Sequence, residues 1–179
     1  MPEHKVFLAL QPDVAAAQQI AGLTAEARRS HGLSGKPISA ERLHISLNFV
    51  GDFRGPPPRA VIDKTKKVVG GLTGGRPFLI TLNRMESWNG DPHPLVLTGE
   101  EGVIGVEELH ADLHKALAAA GMAPRRPLQI TPHITLLYDR REAPAVFVEP
   151  VTWKAREFVL LDTVVGEGRH EVLGRWPLA

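Results

Sequence analysis

His44-Ile45-Ser46-Leu47 and, half a chain later, His133-Ile134-Thr135-Leu136 are one four-residue pattern written twice. In a β-strand successive side chains point to opposite faces, so His44 and Ser46 share one face while Leu43, Ile45 and Leu47 share the other. The second copy divides the same way, His133 with Thr135 and Ile134 with Leu136, in a β-branched run that suits a strand. An imidazole and a hydroxyl therefore project together, twice, from strands whose other face is core.

A lone histidine in an apolar strand is most often a hydrogen-bonded structural residue. Two matching copies shift the balance toward chemistry, because a pair of imidazoles supplies one base and one acid titrating near neutrality. The chain has no cysteine, which excludes a disulfide scaffold, a Cys-containing zinc site and a Cys nucleophile. Chemistry falls to His, Ser/Thr and charge.

These motifs resemble those of the 2H phosphoesterases, which carry two His-x-Ser/Thr-apolar motifs on facing strands. Within that superfamily the chain is most similar to the bacterial RNA 2′,3′-cyclic phosphodiesterases, also named 2′-5′ RNA ligases. The likeness extends to Val6-Phe7-Leu8-Ala9-Leu10, to the stretches around His44 and His133, to the segment from Pro77 to Trp88, and to the closing Val172-Leu173-Gly174-Arg175-Trp176-Pro177-Leu178. It implies an α+β fold of two pseudosymmetric lobes, with mainly antiparallel sheets lining a central cleft and helices outside, all within a single domain spanning 1–179.

The rest of the chain is read outward from the two motifs. Residues 4–10 read as a buried strand, and Asp13 stands as N-cap before Ala16, Ile20, Leu23 and Ala27 at helical spacing, with Gly32 as the stop. A loop over 30–37 leads to the first His strand at 41–50; a turn from Gly51 to Pro58 then opens a short helix over 61–69. Gly70 to Gly75 lacks the Lys-Ser/Thr ending of a phosphate loop and reads as a connector.

Strands at 77–86 and 94–99 form a hairpin around Asn89-Gly90-Asp91-Pro92, with His93 in the turn. Val106, Leu109, Leu113, Leu117 and Ala120 mark a helix closed by Gly121, so the second motif, at 127–138, is introduced by a helix like the first. Strands over Thr152–Leu161 and Arg169–Leu173, joined by Gly166-Glu167-Gly168, bring the expected count to three helices and about seven strands. Helical crossovers mixed with hairpins argue against a doubly wound sheet.

The 179 residues suffice for one compact unit, and 43% hydrophobic with 23% charged residues is ordinary for a soluble globular chain. The start Met-Pro-Glu-His-Lys shows no signal-peptide pattern and nothing of membrane length follows, so a cytoplasmic protein without membrane contact, acting as a monomer, is expected. A net charge of +1 gives no broad basic field, so recognition of RNA would be local.

The resemblance implies metal- and cofactor-free hydrolysis of an RNA 2′,3′-cyclic phosphate end to a 2′-phosphate, with reversible 2′-5′ ligation as a possible companion activity. His44 and His133 are the catalytic pair, with His133 as base and His44 as acid the working assignment for a symmetric pattern, and Ser46 and Thr135 hold the phosphate oxygens. Phe7, Tyr138 and Arg140 are candidate substrate contacts. The family's second motif commonly continues Ala-Arg where this chain has Leu137-Tyr138-Asp139, which leaves another cyclic or 2′-5′ phosphoester as the alternative substrate.

Two other classes compete less well. A metal hydrolase would use His110 and His114, four apart on a helix, but Ala111-Asp112-Leu113 between them lacks the Glu of a His-Glu-x-x-His site, and the pair reads instead as a solvated flank. A non-catalytic RNA-binding module would use Arg125-Arg126, Arg140-Arg141 and Phe7 or Trp88, without the clustered strand aromatics such modules carry.

Overall fold

The computed structural model describes residues 1–72 and 75–179; Thr73 and Gly74, part of the Gly-rich connector, lie outside the described residues. In chain order the elements are β1 (Glu3–Leu10), α1 (Val14–His31), β2 (Ile45–Arg54), α2 (Arg59–Gly70), β3 (Phe78–Ser87), β4 (His93–Thr98), α3 (Ile104–Ala119), β5 (His133–Asp139), β6 (Val146–Ala155), β7 (Glu157–Val164) and β8 (Arg169–Pro177). Short 3-10 turns occupy Ala40–Arg42 and Glu101–Val103.

The α+β expectation of mainly antiparallel sheet holds. The strands run in the order β6-β3-β4-β5-β2-β1-β7-β8, and every pairing between them is antiparallel. β2 and β5 meet through one register pair, Ile45 with Ile134, so the seam between two four-stranded halves falls inside the two His motifs. Each half is built around a strand-helix-strand unit, β1-α1-β2 in the first and β4-α3-β5 in the second, whose two strands pair directly. Strands β7 and β8 extend the first half, and β3 and β6 the second.

Alternation explains why these segments are strands with a helix-covered face. Leu8, Leu10, Ile45, Ile80, Leu82, Leu95, Leu97, Ile134 and Leu136 are fully buried with Ile20 of α1 and Leu113 and Leu117 of α3. Each such side chain contributes roughly 1.5–3 kcal/mol on burial, enough to set the faces of both sheet halves. α1 is bounded as its sequence indicates: the Asp13 carboxylate accepts from the Ala16 N–H at 2.8 Å, and Gly32 closes the helix at φ 61°, a left-handed conformation that favours glycine.

Several expected boundaries move. The first His strand runs from Ile45 to Arg54, because Ala40–Arg42 coil into a 3-10 turn and the pairing with β1 continues past Gly51 as far as Arg54. The second starts at His133, and 127–132 is irregular. The expected single strand at 152–161 is two, β6 and β7, which part at Arg156 and pair with different neighbours, β3 and β1. His93 opens β4, where it pairs with Asp139, and is not a turn residue. The count among the described residues becomes eight strands.

Candidate active site

His44 lies one residue ahead of β2, on the chain leaving the 3-10 turn, and its ring Nδ1–H donates to the carbonyl of Arg42 at 2.8 Å. His133 opens β5 and donates from Nδ1 to the carbonyl of Thr131, again two residues back and again at 2.8 Å. The same bond in both copies orients each ring and leaves Nε2 as the nitrogen without a protein partner among the described residues. Counting the antiparallel register from Ile45 and Ile134 sets His44 across from Thr135 and Ser46 across from His133.

Both motifs carry a bulge at the same place. Leu47 has no partner on β1, whose Leu8 and Ala9 pair with Asn48 and Ser46, and Leu136 has none on β4, whose Leu95 and Val96 pair with Leu137 and Thr135. The extra residue flips the alternation, so that Phe49 follows Ser46 onto the cleft face and Tyr138 follows Thr135. Phe49 is 58% exposed and Tyr138 52%, a matched aromatic pair in the cleft lining. The repeat is thus six residues long, and its signal was an aromatic at the sixth position of both copies.

All four motif residues, with Phe7 and Tyr138, line one cleft of about 950 Å³. Lys5 and Arg42 line it too, and no carboxylate does among the described residues. Such a lining suits an anion. His44 is packed between Phe7 and His170, ring centroids 5.2 and 4.9 Å away, whereas His133 has Trp88 against it at 4.5 Å. Burial holds His44 below the ordinary imidazole value, with the neighbouring charges of His133 and Arg42 acting in the same direction and the bond to the Arg42 carbonyl opposing them.

His170 carries no motif that marks it in the sequence. It stands on β8 opposite Thr163 of β7, which in turn pairs with Lys5 of β1, and burial followed by the His44 and Arg42 charges pushes it down to about 4. It is therefore a neutral ring at pH 7. Its only local signal was strand alternation on a segment whose pairing was unknown.

Arg140 is exposed and away from this cleft, in a small separate hollow with Gly35, Pro92 and Arg141, so the structure does not bring it to the motifs. The residue before it explains why. Asp139 is buried and its carboxylate accepts the backbone N–H groups of Ser34, Gly35 and Arg141 at 2.7, 2.6 and 2.8 Å, which turns the chain away. A Cβ on Gly35 would run into the Tyr138 carbonyl, so the 32–43 connection docks tightly on the end of β5.

His110 and His114 are not a solvated flank: they are 5% and 7% exposed on the inner face of α3. His110 has one ring nitrogen on the Leu47 carbonyl at 2.8 Å and the other on the Leu128 carbonyl at 3.1 Å, and His114 Nε2–H donates to the Arg126 carbonyl at 2.9 Å. No helix among the described residues is long and apolar enough to cross a membrane. No group of three or more His, Asp or Glu among them is arranged to hold a metal ion.

Known proteins share both the sequence and the fold. The model of a family described as the 2′-5′ RNA ligase superfamily matches residues 12–167. The RNA 2′,3′-cyclic phosphodiesterase of Escherichia coli (strain K12) is 28% identical over 150 residues, 81% of each chain. The crystal structure of E. coli LigT complexed with NADP+ matches with a TM-score of 0.72 at 25% identity, covering 98% of each chain. The crystal structure of TT0787 from Thermus thermophilus matches at 0.76 with 20% identity over 97% of each chain, a likeness of fold.

Proposed function

The chain belongs to the 2′-5′ RNA ligase superfamily, and on that premise we propose that it is a phosphodiesterase opening 2′,3′-cyclic phosphate ends of RNA to leave a 2′-phosphate. The observation that carries this reading is the pair of motif histidines, each tied back through Nδ1 and each lining one cleft without carboxylates among the described residues. Opening the ring requires water in line with the 3′ oxygen: a P–OH bond forms, the P–O3′ bond breaks, one imidazole takes the water proton and the other supplies a proton to the departing oxygen.

The unequal surroundings favour His44 as the base and His133 as the acid in hydrolysis, the reverse of the working assignment, because burial keeps His44 in the neutral form that accepts a proton. Ser46 and Thr135 donate to the non-bridging oxygens, and Lys5 and Arg42 offset the phosphate charge. Phe49 and Tyr138 offer faces on which a base or ribose can rest. A 5′-hydroxyl in the place of water would be joined instead through a 2′-5′ linkage by the same steps.

Tyr138, at the place where the resemblance leads one to expect a basic residue, favours as a second reading another cyclic or 2′-5′ phosphoester. A panel of short and long oligonucleotides ending in 2′,3′-cyclic phosphate, cyclic mononucleotides, 2′-5′ oligoadenylate and ADP-ribose cyclic phosphate separates the two, with the product position read by phosphorus NMR. Similar turnover of short and long RNA ends to 2′-phosphate, with weak salt dependence, is the expected result. A strong preference for either of the last two substrates, or a 3′-phosphate product, would move the assignment to the second reading.

A further inference from the structure

The connections that deliver the chain into the two motifs are held by different chemistry. Ahead of His44, the Ile38 N–H donates to the carbonyl of Leu136, the bulge residue of the opposite motif, at 2.8 Å, and Asp139 binds the Ser34 and Gly35 amides. Ahead of His133, residues 123–132 make three hydrogen bonds among the described residues, and in each the acceptor is a backbone carbonyl and the donor an imidazole: His114 to Arg126, His110 to Leu128, and His133 itself to Thr131.

The geometry at His110 has a reason. Leu47, the bulge residue of the first motif, presents a carbonyl, and so does Leu128, and two carbonyl oxygens cannot bond each other. In the opposite half an amide meets the bulge carbonyl directly; here an imidazole with a nitrogen facing each carbonyl stands between them. α3 is fixed to β2 at the same point by Asn48 Nδ2, which donates to the His110 carbonyl at 3.2 Å.

We propose that His110 and His114 are positioning residues: an imidazole clamp on α3 that holds the 123–132 connection, and through it the Thr131 carbonyl that orients the His133 ring. This rests on the reading of His133 as a participant in cyclic phosphate hydrolysis. The clamp acts on geometry alone, since neither ring is given a proton-transfer role. Its loss leaves the 123–132 backbone with the His133 bond as its one hydrogen bond among the described residues, and small displacements of a reacting group cost up to ~10²-fold in rate.

The test uses the different reach of two amides. In His110→Asn the amide nitrogen stands near Nδ1 and keeps the Leu47 bond but drops Leu128; in His110→Gln it stands near Nε2 and keeps Leu128. Combined with His114→Ala, His110→Asn is expected to lower kcat on a 2′,3′-cyclic phosphate oligonucleotide by roughly 10- to 100-fold. His110→Gln with His114→Gln should recover most of it. Trypsin supplies a readout independent of activity: cleavage after Arg125 of the folded protein should accelerate in the Asn/Ala pair and stay near wild type in the Gln pair. Should the Asn/Ala pair fail to fold, His114→Ala alone carries the same comparison. Equal kcat and equal cleavage in all variants would overturn the clamp, while wild-type inactivity on the cyclic phosphate with accelerated cleavage would overturn the substrate reading and leave the clamp standing.

Discussion

His44 and His133 are tied by the same bond, ring Nδ1–H to the carbonyl two residues earlier, and both motifs use a bulge to bring an aromatic onto the cleft face. The two halves nevertheless treat the rings differently. In the first, Phe7 and His170 close on His44, and the connection before it is fixed by backbone amides and the Asp139 carboxylate. In the second, His133 has Trp88 against it, and its connection hangs on imidazoles. The repeated backbone supplies matched geometry, and the unmatched surroundings hold His44 below the ordinary imidazole value through burial.

The comparison breaks most visibly if one half can do without its histidine. His44→Ala and His133→Ala are each expected to lower turnover of a 2′,3′-cyclic phosphate oligonucleotide by ~10²- to 10⁴-fold, the range for a general acid or base, with circular dichroism unchanged. A folded variant retaining near-normal turnover would mean that the two copies are not partners.

The aromatic pair sharpens the comparison at the level of binding. Phe49→Ala and Tyr138→Ala should each weaken oligonucleotide binding by about 1–3 kcal/mol if each carries a stacked base, a loss read mainly in KM. Tyr138→Phe separates the ring from its hydroxyl: stacking predicts little change, and donation to phosphate predicts a loss close to that of Tyr138→Ala.

A smaller effect distinguishes the two connections. Three backbone N–H donors hold Asp139 below the usual carboxylate range, led by that of Arg141 and followed by that of Gly35. A lowered folded value means that the group stabilises the protein above the ordinary carboxylate pKa and ceases to do so as pH falls through the lowered one. Asp139→Asn should therefore unfold at lower urea concentration than wild type at pH 7, with the gap closing in acid. A gap that persisted unchanged in acid would assign the cost to shape and not to charge.

The parts legible in the sequence are those where one residue type has one physical use. An Asp before a helical stripe and a Gly after it mark the ends of α1, and a His two residues before a hydroxyl in an alternating strand puts both side chains, with Phe7 and Tyr138, in the lining of one cleft. What was hidden depends on pairing. A leucine in a bulge looks like a leucine in a ladder, so Leu47 and Leu136 gave no sign of the shift that brings Phe49 to the site. His110 and His114 looked solvated because their partners are carbonyls, which every residue has and no side-chain pattern reveals. Arg140 looked like a phosphate contact until Asp139 was seen to turn the chain.

The pH dependence of kcat/KM tests the division of roles between the two halves most directly. Hydrolysis of a 2′,3′-cyclic phosphate oligonucleotide in chelator should give a bell, rising as His44 loses its proton and falling as the general acid loses the one it must donate. Because burial lowers His44, the acid limb should lie below the ordinary imidazole value of about 6.5, and His170→Ala, which opens the wall beside that ring, should move this limb upward while leaving the alkaline limb in place. An acid limb at or above the ordinary value, or one indifferent to His170, would contradict the account.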